Sequence, residues 1–302
     1  MNPHQDNGAL YNLASGIFQD RILIYTKEWQ DEDLIPIGIE FAARTGWVID
    51  LARAKNIEAI FAYLDGKLEE SLEIIEDMIE FAQDSEYQRT ISTMVMFTGF
   101  RPLLYLGDSN TNHYSSVRQA IQEQMSTPVF RYIPLYHAHQ GHSDDVDKLL
   151  ERMLERRPNI TSREDLTQAY LDIAFLESAM LARHCKATEL LLERFKDNTL
   201  ATASHHWLTC IARHLGGAAV LLERYDEARK HYREAIRVCT DMRFRPELAL
   251  SRFQLAELLL DHYPDEKPEA IEHLDFAIKE FREMKMQPSL ERALRRKDIL
   301  KA

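Results

Sequence analysis

Glycine is scarce in this chain, with 10 in 302 residues, roughly half the usual frequency. So few glycines exclude a fold built on many tight β-turns and leave little material for glycine-lined phosphate loops. No GxxxxGK[ST], GxGxxG or GxSxG segment occurs, which removes the P-loop, dinucleotide and nucleophile-elbow readings. Cysteine is scarcer still: Cys185, Cys210 and Cys239, with no CxxC spacing. An odd count argues against a disulfide framework and for reduced thiols in the cytoplasm. No uninterrupted apolar run approaches the ~18 residues a membrane span needs, and the start "MNPHQDNGAL" lacks the basic segment and apolar run of a secretory leader. Basic charge is also in deficit, at 37 against 49 acidic side chains for a net −12. That balance repels phosphate backbones and disfavours direct nucleic-acid binding. The basic cluster Arg292, Arg295, Arg296 and Lys297 reads as a solvated helix face complementing the helix dipole.

What is present in quantity is Leu, Ala, Glu, Arg and Ile, and these suit helices. The expected class is all-α. Within it, a repeat is legible. "LGGAAVLLERYDEARKHYREAI" (Leu215–Ile236) and "LAELLLDHYPDEKPEAIEHLDFAI" (Leu255–Ile278) each run from an apolar helix through a polar turn to an amphipathic one. Ala228 and Ala235 recur as Ala270 and Ala277, and Met242 and Pro246 as Met284 and Pro288, each 42 residues on. Walking back in steps of 41 residues reaches Ala187 and then Val146. Ala59–Ile79 has the same shape, with Gly66 in its turn and Ser71 at the anchor, and Tyr87–Leu106 with His113–Met125 forms one further pair. Small residues are required where two antiparallel helices cross closely. Gly66, Gly107 and Gly141 are expected to supply left-handed caps. Asp144, Asp145, Asp226 and Glu227 are expected in first helical turns, satisfying free N–H groups. Pro128, Pro158, Pro246 and Pro288 mark linkers between pairs. The expectation is a right-handed α-solenoid of about six antiparallel helix pairs, preceded by a helix near Ala9–Gln30. It forms a single domain over 1–302, looser over 1–126 and better matched over 127–302.

These residues resemble tetratricopeptide repeats in a longer form of about 40 residues. Leu215-Gly216, Ala228, Tyr232 and Ala235 sit at the family's signature spacing, and Leu255-Ala256, Ala270, Leu274 and Ala277 follow with two extra residues around Asp265–Lys267. From about Phe130 to Ala302 the chain is similar to the C-terminal repeat region of bacterial adenylate or guanylate cyclase–ATPase proteins and of LuxR/MalT-type multidomain regulators. The resemblance implies a sensing or scaffolding segment, possible association with a cyclase or ATPase module, and no chemistry of its own. The first helix, apolar on one face, would then pack on something upstream.

Each dense cluster of reactive side chains has a plainer account inside this frame. "LYHAHQGHSDD", Leu135 to Asp145, holds three histidines and two aspartates. His139 lies about 200° around a helix from His137, so the two cannot share a metal without unwinding. A zinc site needs three or four converging ligands; none is expected here, and His137 is read as a packed, hydrogen-bonded core residue. His205-His206-Trp207 reads as a helix start with Trp207 on the preceding pair. His184-Cys185 reads as a turn without an orienting acid or oxyanion hole. The carboxylate pairs Glu69-Glu70, Glu76-Asp77 and Asp265-Glu266 read as solvated faces rather than a general acid–base pair.

The remaining site is the concave groove lined by the first helix of each pair, where Arg53, Asn56, Tyr63, Arg131, His139, Arg213 and Phe253 are the candidate partner contacts. The expected function is a non-catalytic scaffold for a protein or peptide, with an acidic or carboxylate-bearing partner favoured by the groove arginines. No cofactor, metal or membrane contact is expected. A small-molecule sensor is the alternative, and an enzyme with an unrecognised site the remote one.

Overall fold

A computed structural model describes residues 48–83, 85–107, 113–127, 134–162, 164–197, 200–202 and 207–300. The helix expected near Ala9–Gln30, together with Pro128, Arg131, His205 and His206, lies outside the described residues. Among the described residues the chain is all-helical. Its only strand-like feature is one antiparallel bridge between Thr202 and Cys210. None of these helices is long and apolar enough to cross a membrane.

Among the described residues thirteen α-helices follow one another, the first twelve as six consecutive pairs. α1 (Val48–Leu64) is followed by α2 (Leu68–Ala82), and α3 (Gln88–Leu106) by α4 (Ser115–Met125). Next come α5 (Leu135–His139) with α6 (Ser143–Arg156), and α7 (Ala169–Leu181) with α8 (Cys185–Arg194). α9 (Ile211–Leu221) pairs with α10 (Tyr225–Asp241) and α11 (Arg245–His262) with α12 (Lys267–Glu283), leaving α13 (Gln287–Ile299). Apart from α4 and α5, each helix packs on its successor, and first helices also touch first helices of the next pair, as α5 does α7 and α7 does α9. The anchors fall where the spacing puts them: Ser71, Val146, Ala187, Ala228, Ala235, Ala270 and Ala277 are all fully buried. Ser71 Oγ donates to the Ala59 carbonyl at 2.8 Å, and Gly216 lies flat against the Tyr232 ring.

The turns repeat a single hydrogen-bonded form. In six of them the residue two past a left-handed position's predecessor closes the helix end: the N–H of Lys67, His142, His184, Arg224, Phe244 and Met286 donates to a carbonyl five residues back at 2.8–3.0 Å. This is the Schellman arrangement, and it requires positive φ at the residue before the donor. Gly66 and Gly141 supply it with φ of 79° and 78°, but Arg183, Glu223, Arg243 and Lys285 adopt it with φ of 53–58° and no glycine. Gly107 departs from expectation. Its φ of 78° comes with ψ of 168°, an extended mirror conformation rather than a left-handed cap. The acids Asp144, Asp145, Asp226 and Glu227 do occupy first turns, yet they make no side-chain cap bond there and act through the helix dipole. Pro246 and Pro288 sit in the first turns of α11 and α13 rather than in linkers, where proline's missing N–H costs nothing. The two extra residues near Asp265 form a short 3₁₀ turn, Pro264–Glu266.

Two loops need their own fastenings. Arg194 holds the α6–α7 connection by donating to the carbonyls of Ile160 at 2.7 Å and of Asp165 and Thr167 at 3.0 Å, while pairing with buried Asp172. Trp207 does not start a helix. It lies in the extended stretch before α9, packed across Phe97 and Phe100 of α3 with ring centroids 5.6 Å away. The basic cluster on α13 is neutralised: Arg292 pairs with Glu257, Arg296 with Asp261 and Lys297 with Asp275.

The first and last described helix pairs meet. α13 packs on α3 and α11 packs on α1. Lys285 pairs with Glu69, Gly66 lies directly on Met284, and a Cβ at Gly107 would come within 2.7 Å of Pro288. One apolar core therefore runs from Ala52 through Leu135 and on to Ala235–Ala293, while a second joins Val146–Phe195 to the helices around Ala228.

Replacing Glu223, which is exposed, with glycine removes a left-handed strain of ~1–2 kcal/mol against a backbone-entropy penalty of ~0.5–1 kcal/mol. Glu223→Gly should therefore raise stability by about 0.5–1 kcal/mol. Gly216→Ala, whose Cβ would meet the Tyr232 ring at 2.5 Å, should lower it by about 1–3 kcal/mol. Urea midpoints at unchanged m-value check both.

Candidate functional site

α7 is apolar around most of its circumference, which marks it for burial, and α1 and α11 bury one side among their neighbours. Among their buried residues are Tyr63 on α1, Glu177 on α7 and Glu247 on α11. α3 adds Arg101 and Tyr105, α5 adds His139, and α9 adds Arg213 and His214. All eight come from first helices of pairs, and the packing of those helices brings them into one buried polar network.

Two arginine–carboxylate pairs form its frame. Arg101 grips both Glu177 oxygens, with Nη1 at 2.8 Å from Oε1. Glu177 also takes His139 Nε2 at 3.2 Å and lies 3.9 Å from His214 Nε2. Arg213 donates to Glu247 through Nε at 2.6 Å and Nη2 at 3.0 Å. Glu247 accepts further bonds from the Tyr105 hydroxyl at 2.5 Å, Thr209 at 3.2 Å and the Cys210 N–H at 2.9 Å. Tyr63 closes the group, donating to the Leu208 carbonyl at 3.2 Å and packing edge-on to Phe244 at 5.2 Å.

Burial and charge pull against each other at every titrating member. Burial would raise both carboxylates, but the facing arginines win: Glu247 is held down at about 2 by Arg213, and Glu177 well below the usual range by Arg101. Burial disfavours charge on Arg101 and Arg213, yet Glu177 and Glu247 keep both pKa values above the ordinary one. Burial, then Tyr105 and Glu247, pushes Tyr63 up, and burial and Glu247 push Tyr105 up. His214 is driven down to about 3, by burial first and then by Arg213.

The candidates named from sequence separate in the structure. Tyr63, His139 and Arg213 belong to this network. Asn56, half-buried on α1, accepts from the Thr98 hydroxyl at 2.7 Å, and Arg53 is half-buried on the same helix. Phe253 is buried elsewhere, edge-on to Phe281 at 5.9 Å with Arg292 over its ring. Tyr63, Arg213 and Phe253 thus face the interior of the protein rather than an open groove, because the front pairs pack on the rear ones. Arg101, Tyr105, Glu177, His214 and Glu247 escaped the sequence reading. Their signal was a lone charge inside an apolar run, as in "FTGFRPLLYL" and "LDIAFLESAML".

The histidine-rich elbow is a turn, with His137 half-buried beside the rings of Tyr136 and His142. Among the described residues no group of three or more His, Cys, Asp or Glu side chains converges as a metal site would. His184 caps α8 by accepting from the Ala187 N–H at 3.2 Å and bonds Glu151 at 2.9 Å. An outer cleft of about 960 Å³ between Phe195, Leu200 and Ala201 on one side and α10 on the other is lined by Arg229, Arg233 and Arg237. Those arginines are neutralised by Glu266, Glu269, Glu234 and Asp241. No protein-family model matches the chain, and no curated protein is significantly similar to it.

Glu247→Gln leaves Arg213 buried without its counter-charge and should cost about 3–5 kcal/mol. Combining it with Arg213→Met should recover most of that loss, as read by a double-mutant cycle in urea. His214 supplies the pH test. Its folded pKa, about 3, lies below the unfolded ~6.5, so the unfolded chain binds the extra proton and stability falls as pH drops below ~6.5. The single-site loss is about 2 kcal/mol between about pH 7.5 and about pH 5, and His214→Asn should flatten that slope.

Proposed function

We propose that the chain is a non-catalytic helical-repeat scaffold, a right-handed α-solenoid of tetratricopeptide type whose inner face takes a protein or peptide partner. In this reading it is the cytoplasmic regulatory or sensing region of a bacterial signalling or transcription regulator, working with a cyclase or ATPase module. The observation that carries the proposal is the recurrence of one unit. Six consecutive helix pairs among the described residues, fully buried anchors 41–42 residues apart from Val146 to Ala270 and one turn form shared by four of the pairs are what neighbour-on-neighbour stacking requires.

The electrostatics of the inner face support binding over catalysis. A general acid or base works best with a pKa near the operating pH. Glu177, Glu247 and His214 are pushed down and Tyr63 and Tyr105 up, all away from neutrality. Arg101 and Arg213 are already paired with Glu177 and Glu247, so the part of a carboxylate-bearing partner's site that arginine supplies falls to Arg53, half-buried on α1. Because Tyr63, Arg213 and Phe253 are buried, first contact falls to Arg53, Asn56 and His139. A small-molecule sensor is the second reading, favoured by buried N–H donors near Glu177 that lack acceptors.

Affinity capture with the full chain, run beside a thermal-shift screen of metabolites, tests the proposal. A protein partner retained by wild type and by Lys148→Ala, and reduced at least fivefold by the Arg53→Ala/His139→Ala pair, is the expected result. A shift of several degrees from a metabolite, with no protein captured, would sink the scaffold reading in favour of the sensor.

A further inference from the structure

The chain carries a net charge of −12, and against that background the outer cleft is reversed in sign. Its lining holds five cations, Lys196, Arg229, Lys230, Arg233 and Arg237, against two carboxylates, Asp226 and Glu234. The arginines are paired, yet most of their partners stand elsewhere. Glu266 and Glu269 belong to the turn before α12 and its first turn, Asp241 ends α10, and none of the three lines the cleft. Inside it only Asp226 and Glu234 answer the guanidinium groups. These pairs are also open to exchange. The side chains of Arg233 and Arg237 are 50% and 52% exposed, and ion pairs at that exposure add little net stability. Lys230, exposed beside them, makes no ion pair among the described residues.

The rest of the lining is apolar. Ala212 and Leu215 of α9, Val238 of α10 and Ala201 contribute to it, and Leu200, 48% exposed, forms its lip. A ligand with one apolar side and one acidic side matches both parts. Spacing decides between a small anion and an extended one. Arg229, Arg233 and Arg237 follow one another at one helical turn and together span about 12 Å, more than a single headgroup reaches. Carboxylates one turn apart on a second helix meet all three while its apolar stripe lies against Ala212 and Leu215, the helix-in-groove mode of recognition.

We propose that the outer cleft is a docking site for an acidic amphipathic helix of a partner protein. Its carboxylates exchange with Glu269 and Asp241 on the α10 arginines and reach Lys196 and Lys230, and its apolar side chains lie against Ala212, Leu215 and Leu200. A phosphate polymer or an anionic lipid surface fits less well. Asp226 and Glu234 interrupt the row of cations, and the chain as a whole repels a continuous polyanion. The site stands apart from the inner face, and neither needs the other to be occupied.

Fluorescence polarisation with the full chain tests the site with three labelled peptides. The first is four repeats of Glu-Glu-Leu-Leu, the second has every Glu replaced by Gln, and the third has every Leu replaced by Ser. The first should bind, and each of the others at least tenfold more weakly. Lys230→Glu combined with Arg233→Glu should weaken the first peptide about tenfold. Lys230→Ala, which breaks no ion pair, should weaken it about threefold, and Lys148→Glu on α6 should leave it unchanged. Equal binding of the Glu and Gln peptides, or no binding of the first peptide to folded wild type, overturns the proposal. So does retention of the chain on phosphatidylserine vesicles without peptide binding. Binding that survives the cleft variants and is lost in Arg53→Ala/His139→Ala puts the peptide on the inner face; it overturns the outer site and leaves the scaffold reading standing.

Discussion

Burying two arginines and two glutamates in one core is costly unless each finds its counterpart, because the desolvation of an isolated charge amounts to several kcal/mol. That constraint organises the molecule. Glu247 on α11 is satisfied only when α9 brings Arg213, α3 brings Tyr105 and the stretch before α9 brings the Cys210 N–H. Glu177 on α7 needs Arg101 from α3 and His139 from α5. No subset of helix pairs completes the network. Apolar packing holds neighbours together, but the charges demand that helices 76 and 142 residues apart in sequence share one interior.

This arrangement also explains why the inner side is electrostatically quiet. Each carboxylate is ionised and multiply hydrogen-bonded, each tyrosine is held protonated, and His214 is held neutral. A network of this kind specifies one arrangement of helices, because half-satisfied alternatives are worse than an apolar core. The unmatched donors at its edge stand out for that reason.

Much of the fold could be read from the chain because close crossings accept only small side chains. Ala187, Ala228, Ala235, Ala270 and Ala277 marked them without ambiguity. The turns were half legible. Gly66 and Gly141 announced themselves, whereas Arg183, Glu223, Arg243 and Lys285 take the same conformation because the hydrogen bonds on either side impose it. Gly107 misled for the opposite reason: positive φ alone does not say which ψ accompanies it. The site was the least legible part. A repeat pattern describes contacts between neighbours, and it holds no record of the front pairs packing on the rear ones. Tyr63 and Arg213 were found because they lie on inner faces, but their burial depends on that long-range contact. Trp207 was assigned to its neighbours in sequence, and its true partners, Phe97 and Phe100, lie on α3.

The meeting of Lys285 with Glu69, 216 residues apart, has a consequence for how the chain folds. An open array of helix pairs makes only local contacts, so it can nucleate anywhere and fray from either end. Here the last described turn rests on the first described one, and the loop-closure entropy of the 216 residues between them must be met before the shared core forms. Folding should therefore end in a slow docking of two preassembled halves, with unfolding beginning at that seam. The same seam turns a one-dimensional stack into a cooperative body, in which loosening α13 is felt at once by α3.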